Sequence, residues 1–358
     1  MTRHPLEASA PSRIDLAGGT LDLWPLYLFC KDAVTLNVAI DCYATVRLSP
    51  RQDGAILLRS LDQGRRWRGA DVEALQRCRS LPMLRAALLH ELRQATAPHA
   101  APPRAGLTLE TDCQAPAGSG LGGSSALLVA LLAALRRFLG GRLNLPGLIQ
   151  QAQNLETTII QAPTGWQDYY PAAYGGVQAL WGTPAGVRRE ALHVDLEALG
   201  ERLLLCYTGV PRRSALNNWE VFRGFFDGSQ ALRRLLGGIA ASSLRLYEEL
   251  SAGRLDRLAA PIAAEWSYRR RLSRGTSTPG IECLGRAAHR AGAEAMKVCG
   301  AGGGGCVFFV TPPAKRLAVR QAITAAGGRL LDIRLARRGV RCRRSDMAAT
   351  VSPGESAA

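Results

Sequence analysis

The segment Pro116-Ala-Gly-Ser-Gly-Leu-Gly-Gly-Ser-Ser-Ala126 has the composition of an anion-binding loop. Gly118, Gly120, Gly122 and Gly123 let the backbone approach a charged ligand with no Cβ in the way. A long apolar stretch follows at once. A helix starting there offers unpaired N–H groups and the positive end of its dipole. Ser124 and Ser125 can cap that helix, or place a hydroxyl on a phosphate or a Mg2+ ion. No lysine ends the loop, so it is not of the Walker type, which closes in Gly-Lys-Ser/Thr. A Gly/Ser turn with a good helix cap is the plainer reading of the same residues.

Two further glycine-rich segments carry candidate chemistry. Lys297-Val-Cys-Gly-Ala-Gly-Gly-Gly-Gly-Cys306 runs into Val307-Phe-Phe-Val310, a strand, turn and strand pattern that brings backbone close to a ligand. Four consecutive glycines are costly to order, which favours a defined role over slack. Pro11-Ser-Arg-Ile-Asp-Leu-Ala-Gly-Gly-Thr-Leu-Asp22 sets Arg13, Asp15 and Asp22 around an apolar strand and the Gly18-Gly19 bend. This pattern alone leaves Asp15 open as strand-surface decoration and Asp22 open as a helix cap.

These residues need elements to position them. Strand character is expected at residues 14–16, 34–48, 107–111, 202–207, 295–298, 306–310 and 330–335, the last of these ending the ordered chain. Helices are expected at 82–95, at 124–139 before Gly140 and Gly141, and from Asn144 and Pro146 to about 160. More follow at 219–274, 281–291 and 316–326. Residues 163–176 read as a loop at their start and are rich in aromatics. Residues 1–10 read as a loose start and 345–358 as a frayed tail. A domain boundary falls between 185 and 200, dividing the chain into 1–195, 196–345 and a tail at 346–358. The mixed order of strands and helices is an α+β architecture.

The bulk properties set limits. At 358 residues the chain is long for one domain and comfortable for two, with an apolar fraction that permits a sizeable core. A net charge of +16 invites a nucleic-acid partner. The basic residues are spread out, however, in short clusters such as Arg65, Arg66 and Arg68, or Arg269 to Arg271. Lys31, Lys297 and Lys315 are the only lysines, which reads as a coding bias toward arginine. Attraction of a polyanionic substrate is a second use for the charge. The nine cysteines include no CxxC pair, so reduced thiols in a cytoplasm are expected, with no zinc site. No apolar run is long enough to span a bilayer.

In order and spacing the three segments resemble the three motifs of the GHMP kinases, the superfamily of galactokinase, homoserine kinase, mevalonate kinase and phosphomevalonate kinase. The middle one matches the family's PxGxGLGxSSA loop at every fixed position. The first is similar to the galactokinase and heptose-kinase versions, with Thr20 and Leu21 departing from the usual run of glycine and threonine before Asp22. Gly165-Trp-Gln-Asp-Tyr-Tyr-Pro-Ala-Ala-Tyr-Gly-Gly176 resembles a heptose-kinase segment, as does Thr278-Pro-Gly-Ile281. The likeness runs from about residue 11 to 335. It implies a first domain like domain 2 of ribosomal protein S5, a ferredoxin-like second domain, and an active site between them.

The resemblance also implies roles. Pro116, Gly118, Ser119, Gly120, Leu121, Gly122, Gly123, Ser124 and Ser125 would bind ATP, and Ser125 with Glu156 would hold Mg2+. Asp168 would accept or align the acceptor hydroxyl, and Arg13 would stabilise developing negative charge. Gly18, Gly19, Asp22, Tyr174, Gly302 and Gly303 would meet the substrate, and Arg212 or Arg213 would reach toward it. The implied reaction is direct in-line transfer of the γ-phosphoryl group of ATP to a hydroxyl of a sugar or sugar phosphate. A non-sugar alcohol acceptor, a nucleic-acid binder and a silent metabolite sensor are the alternatives. The paired carboxylates Glu156 and Asp168 argue against a pure binder. No nucleic-acid or membrane partner is expected, and a homodimer is left open.

Overall fold

The computed structural model describes residues 4–95, 106–211 and 214–344, with the side chains of 214–218 left aside. Within these, the first sheet has eight strands. β1 (Leu6–Ala17) pairs antiparallel with β2 (Val34–Arg51), an 18-residue strand. β3 (Ile56–Ser60) and β4 (Arg65–Gly69) form a hairpin. Two helices, α1 (Val72–Gln76) and α2 (Pro82–Ala95), then lead to β5 (Gly106–Cys113), which lies antiparallel to the second half of β2 and parallel to β3. The glycine loop leads into α3 (Gly123–Phe138), followed by α4 (Leu145–Ile160) and α5 (Tyr169–Tyr174). β6 (Val177–Thr183) returns to the first half of β2 and turns into β7 (Gly186–Leu192).

The second sheet begins after α6 (Leu196–Arg202) with β8 (Leu203–Tyr207). A helical stretch follows, α7 (Ser214–Phe226), α8 (Gln230–Ser251) and α9 (Ala259–Arg269), then α10 (Pro279–Arg290). β9 (Ala295–Val298), β10 (Cys306–Val310), α11 (Arg316–Ala325) and β11 (Arg329–Leu331) complete the layer. Its order is β11-β8-β10-β9, all antiparallel, which is the ferredoxin-like arrangement. β12 (Arg341–Arg344) crosses back and pairs with β1.

The sequence explains the layering. α3 is apolar all round and is buried from Ser125 to Leu135, as a helix enclosed on every side must be. It packs against α2, α4, β1 and β2. Truncating a side chain such as Leu132, fully buried there, would cost about 2–5 kcal/mol. β10 alternates between two cores: Cys306, Phe308 and Val310 face β1, β2 and β8, while Val307 and Phe309 face α10 and α11. This two-sided burial is why Cys306–Val310 reads as an unbroken apolar run.

Some expectations are corrected. Residues 6–10 are not a loose start: they are strand, with Ala8 and Ala10 buried beneath α3. The strand expected at 330–335 ends at Leu331, and Leu335 forms only an isolated bridge to Ile40. It is also not the last strand, because β12 closes the edge of the first sheet. The tail of the 196–345 segment therefore belongs to the first sheet, held by backbone pairing that no periodicity signals. The hairpins β3–β4 and β6–β7 were not expected either. The positions expected as a tail, 345–358, lie outside the described residues.

Candidate active site

The site forms where the three glycine-rich segments meet. Two register shifts in the β1–β2 pairing, at Pro11/Ser12 and Asp15/Ala17, bracket Arg13 and re-aim the strand there. The Arg13 backbone N–H donates to the Leu121 carbonyl at 2.9 Å, and its Nη1 donates to the Gly120 carbonyl at 2.5 Å. Strand β1 thus grips the glycine loop directly. The Arg13 guanidinium, 1% exposed, donates through Nε (2.9 Å) and Nη2 (2.5 Å) to Oδ1 of Asp168. Burial alone would lower the pKa of Arg13, but the carboxylates of Asp168 and Asp15 prevail and raise it, so the group stays charged.

Asp168 stands at the start of α5 and makes no capping bond there. Its Cβ and Cγ lie 3.2 Å from where a Cβ on Gly122 would be, and Gly122 has φ +71°. Glycine is required at 122 on both counts, and the carboxylate is thereby brought against the loop. Leu121, by contrast, is a core residue, fully buried against β1 and β2.

Glu156, on α4, is no solvent-facing helical residue: it is 5% exposed. It accepts from Ser124 Oγ (2.6 Å), Ser125 Oγ (2.7 Å) and Tyr169 OH (2.7 Å). The two serine hydroxyls therefore do not cap α3, whose N-cap is Gly122. Burial raises the Glu156 pKa and the three hydroxyls only partly offset it, so a bound cation would favour the ionised form. One carboxylate and two hydroxyls at a helix N-terminus are an oxygen set that suits a hard divalent ion completing its shell with phosphate oxygens. Among the described residues no cluster of three or more His, Cys, Asp or Glu forms a separate metal site.

Asp22 is 2% exposed and accepts from the Gln167 N–H at 3.1 Å. A Cβ at Gly165 would lie 1.7 Å from its Oδ2, so the 165–167 turn can close over Asp22 only with glycine. Burial raises its pKa to about 7, with the Gln167 N–H opposing and Asp168 and Asp15 adding repulsion.

Below this floor lies an ionic cluster that sequence reasoning missed. Asp15 Oδ2 is 2.9 Å from Lys297 Nζ, and Glu265 pairs with Arg269 at 2.6 Å and with Lys297 at 3.9 Å. All four side chains are at most 2% exposed. Arg269 also donates to the Gly19 carbonyl (2.6 Å) and Thr20 Oγ1 (3.2 Å), and the Gly18 N–H donates to Glu265 (3.2 Å). Burial works to raise the Asp15 pKa, but Lys297, Arg269 and Arg13 pull it below the ordinary value. The rarity of lysine, with Lys297 opening the third glycine segment, was the one available signal. Glu265 and Arg269 carried none beyond their i, i+4 spacing.

Two cavities open onto these residues. One, of about 440 Å³, runs along Pro116, Gly118, Ser119, Gly120, Gly122, Gly123 and Ser124. The other, of about 130 Å³, is lined by Arg13, Thr20, Asp22, Glu156, Gln167 and Arg269 among others. Asp168 and Ser124 line both, so the cavities meet at these two side chains.

Not every expected residue reaches a cavity. Gly18 and Gly19 shape the bend beneath: Cβ atoms there would meet the Val34 carbonyl at 2.1 Å and Asp15 Oδ2 at 2.5 Å. Gly302 and Gly303 hold the Thr276 carbonyl side of a neighbouring turn, and in their place Gly300 and Ala301 face the small cavity. Gly305 packs on the Ser119 carbonyl, which accepts from the Cys306 N–H at 2.7 Å, so the third segment buttresses the loop. Tyr174 lies in neither cavity; it stacks on Tyr170 and beneath Arg189, 4.0 Å from the guanidinium carbon to its ring centroid. Arg212 and Arg213 lie outside the described residues.

Known proteins resemble this chain across both layers. The family model for the GHMP kinases N terminal domain matches residues 83–176, and that for the GHMP kinases C terminal matches 246–329. The D-glycero-alpha-D-manno-heptose 7-phosphate kinase of Campylobacter jejuni is 26% identical over 343 residues, covering 94% of this chain and 98% of that protein. The L-fucokinase/L-fucose-1-P guanylyltransferase of Bacteroides fragilis is 27% identical over 372 residues; the match takes in 94% of this chain but only 38% of that longer protein. In structure, the galactokinase of Lactococcus lactis, solved with galactose, superposes with a TM-score of 0.75 at 18% identity, over 95% of each chain. That likeness speaks to the fold.

Proposed function

We propose, since this chain belongs to the GHMP kinase superfamily, that it is an ATP-dependent phosphotransferase acting on a hydroxyl of a sugar or sugar phosphate. The observation that carries this reading is the meeting of the two cavities at Asp168 and Ser124. A triphosphate along the glycine loop and an acceptor beside Asp22 would have their reacting groups at that junction. The identity to a heptose-phosphate kinase and a fucokinase over nearly the whole chain supports a carbohydrate acceptor.

In this reading the backbone N–H groups of the loop and of the first turn of α3 receive the phosphates. Asp168 keeps Oδ1 on Arg13 and turns its other oxygen to the acceptor hydroxyl, whose proton it orients or accepts. Arg13 fixes that carboxylate and places a fixed positive charge beside the reacting oxygen. Asp22 and Gln167 hold further hydroxyls. Ser124 or Ser125, with Glu156, would hold Mg2+, which would supply positive charge against phosphate oxygens. Positioning and electrostatics account for the chemistry, with no phosphoenzyme. Residues 1–195, completed by β12, form the ATP-binding unit in this proposal, and the ferredoxin-like layer closes the acceptor side. Nine free cysteines suit a reducing cytoplasm, and no helix among the described residues is long and apolar enough to cross a membrane.

Incubation with Mg-ATP and a panel of sugars, sugar phosphates, mevalonate and homoserine, reading ADP release, tests the assignment. Turnover is expected with a carbohydrate. Asp168→Asn is expected to lower kcat by roughly 10³-fold while leaving ATP affinity within a few fold. A variant that keeps most of its rate would remove Asp168 from the mechanism.

A further inference from the structure

We infer that the acceptor is an unphosphorylated polyhydroxyl compound, a free sugar rather than a sugar phosphate; this rests on the kinase reading above and narrows it. The argument is the donor and acceptor inventory of the 130 Å³ cavity. Its cations are Arg13 and Arg269, and both are committed. Arg13 spends its guanidinium on Asp168 and the Gly120 carbonyl. Arg269 spends its own on Glu265, the Gly19 carbonyl and Thr20.

What the lining offers instead is uncharged amide and hydroxyl groups and carboxylate acceptors. Gln167 Oε1 is a buried oxygen with no partner. Asp22 uses a carboxylate oxygen on the Gln167 N–H, and Asp168 is bound by Arg13 at Oδ1, leaving acceptor capacity on both. Beneath them, Asp15 and Glu265 add negative charge that Lys297 and Arg269 just balance. Apart from the hydroxyls of Ser124, Ser125, Thr164 and Tyr169, much of the remaining wall is apolar, as at Leu23 and Ile160.

Such a cavity suits a ligand that donates many hydrogen bonds, as sugar hydroxyls do. The phosphoryl group of an ester presents almost only acceptors at neutral pH and carries close to two negative charges. Placed here it would face the Asp168 carboxylate, and Asp22 once that is ionised, without a cation to take it, among the described residues. Acceptor-rich walls therefore exclude by repulsion as well as select by attraction.

The test compares free sugars with their own phosphate esters, pair by pair, under Mg-ATP: galactose, L-fucose, mannose and a heptose, each against a monophosphate. In the pair that turns over, kcat/KM for the free sugar is expected to exceed that of the ester by on the order of tenfold or more. Equal or better use of the ester would overturn the inference and leave the kinase assignment standing. No ADP release with any carbohydrate of the panel, while ATP still binds, would overturn both. Gln167→Leu is expected to lower kcat/KM for the free sugar by about tenfold with the KM for ATP unchanged, the effect of one lost hydrogen bond to substrate. A change within twofold would remove Gln167 from acceptor recognition.

Discussion

Replacing Asp22 by Asn should flatten the dependence of stability on pH. In the folded protein this carboxyl titrates at about 7, against its ordinary 3.8, because it is buried and because Asp168 and Asp15 repel its charged form. The folded state therefore holds a proton that the unfolded chain releases, and stability falls as pH rises from about 4 to about 7. Above that window both states are ionised and the loss is complete. Three pH units correspond to roughly 4 kcal/mol in full, and about 2.5 kcal/mol of that falls between pH 5 and pH 8. Asn keeps the acceptor for the Gln167 N–H and the size of the side chain while removing the charge. Urea unfolding of both proteins at pH 5, 6.5 and 8, with equal m-values, isolates the effect, since other titrating groups cancel between them. The wild type should lose about 2.5 kcal/mol more than the variant over that range, and the variant should be the more stable protein at pH 8. Parallel pH profiles, within about 0.5 kcal/mol, would refute the reasoning and place Asp22 in a wetter, less repulsive setting. The same variant should lose acceptor kcat/KM, which would mark a stability cost retained for function.

Other perturbations follow from the same geometry. Lys297→Met strips the cation from Asp15, which is fully buried, and should cost about 3–5 kcal/mol in urea unfolding; adding Asp15→Asn should recover a large part, and an additive double variant would dissolve the proposed coupling. Gly122→Ala puts an L-residue at φ +71° with its Cβ 3.2 Å from Asp168, so about 1–2 kcal/mol of stability and at least tenfold in kcat should be lost; wild-type kinetics would contradict the close approach. Glu156→Gln should raise the Mg2+ concentration for half-maximal rate by about tenfold, and a shift under twofold would take Glu156 out of the cation site.

Much of this was legible in the chain. The helix at Pro82–Ala95 and the strand at Cys306–Val310 have the bounds that periodicity and composition predict, because each is set by local patterning. The glycine loop declared itself because backbone approach and positive φ demand glycine at fixed places, as Gly118, Gly120 and Gly122 confirm. The misses share a cause. β12, the pairing of Lys297 with Asp15 and Glu265, and the packing of Gly302 and Gly303 on the Thr276 turn all depend on contacts between residues far apart in sequence.

The sequence by itself determined most of the helices, the glycine loop's need for glycine and the family likeness, since these rest on local conformational preference and on the order of motifs. Only the tertiary structure decided what each polar group does. Ser124 and Ser125, open as helix caps in the sequence, are partners of Glu156, and Asp168 is the partner of Arg13. A side chain's role follows from which groups surround it once water is excluded, because burial makes every unpaired charge costly. That surrounding is assembled from β1, α3, α4, α5 and α9 together, which no stretch of the chain encodes alone.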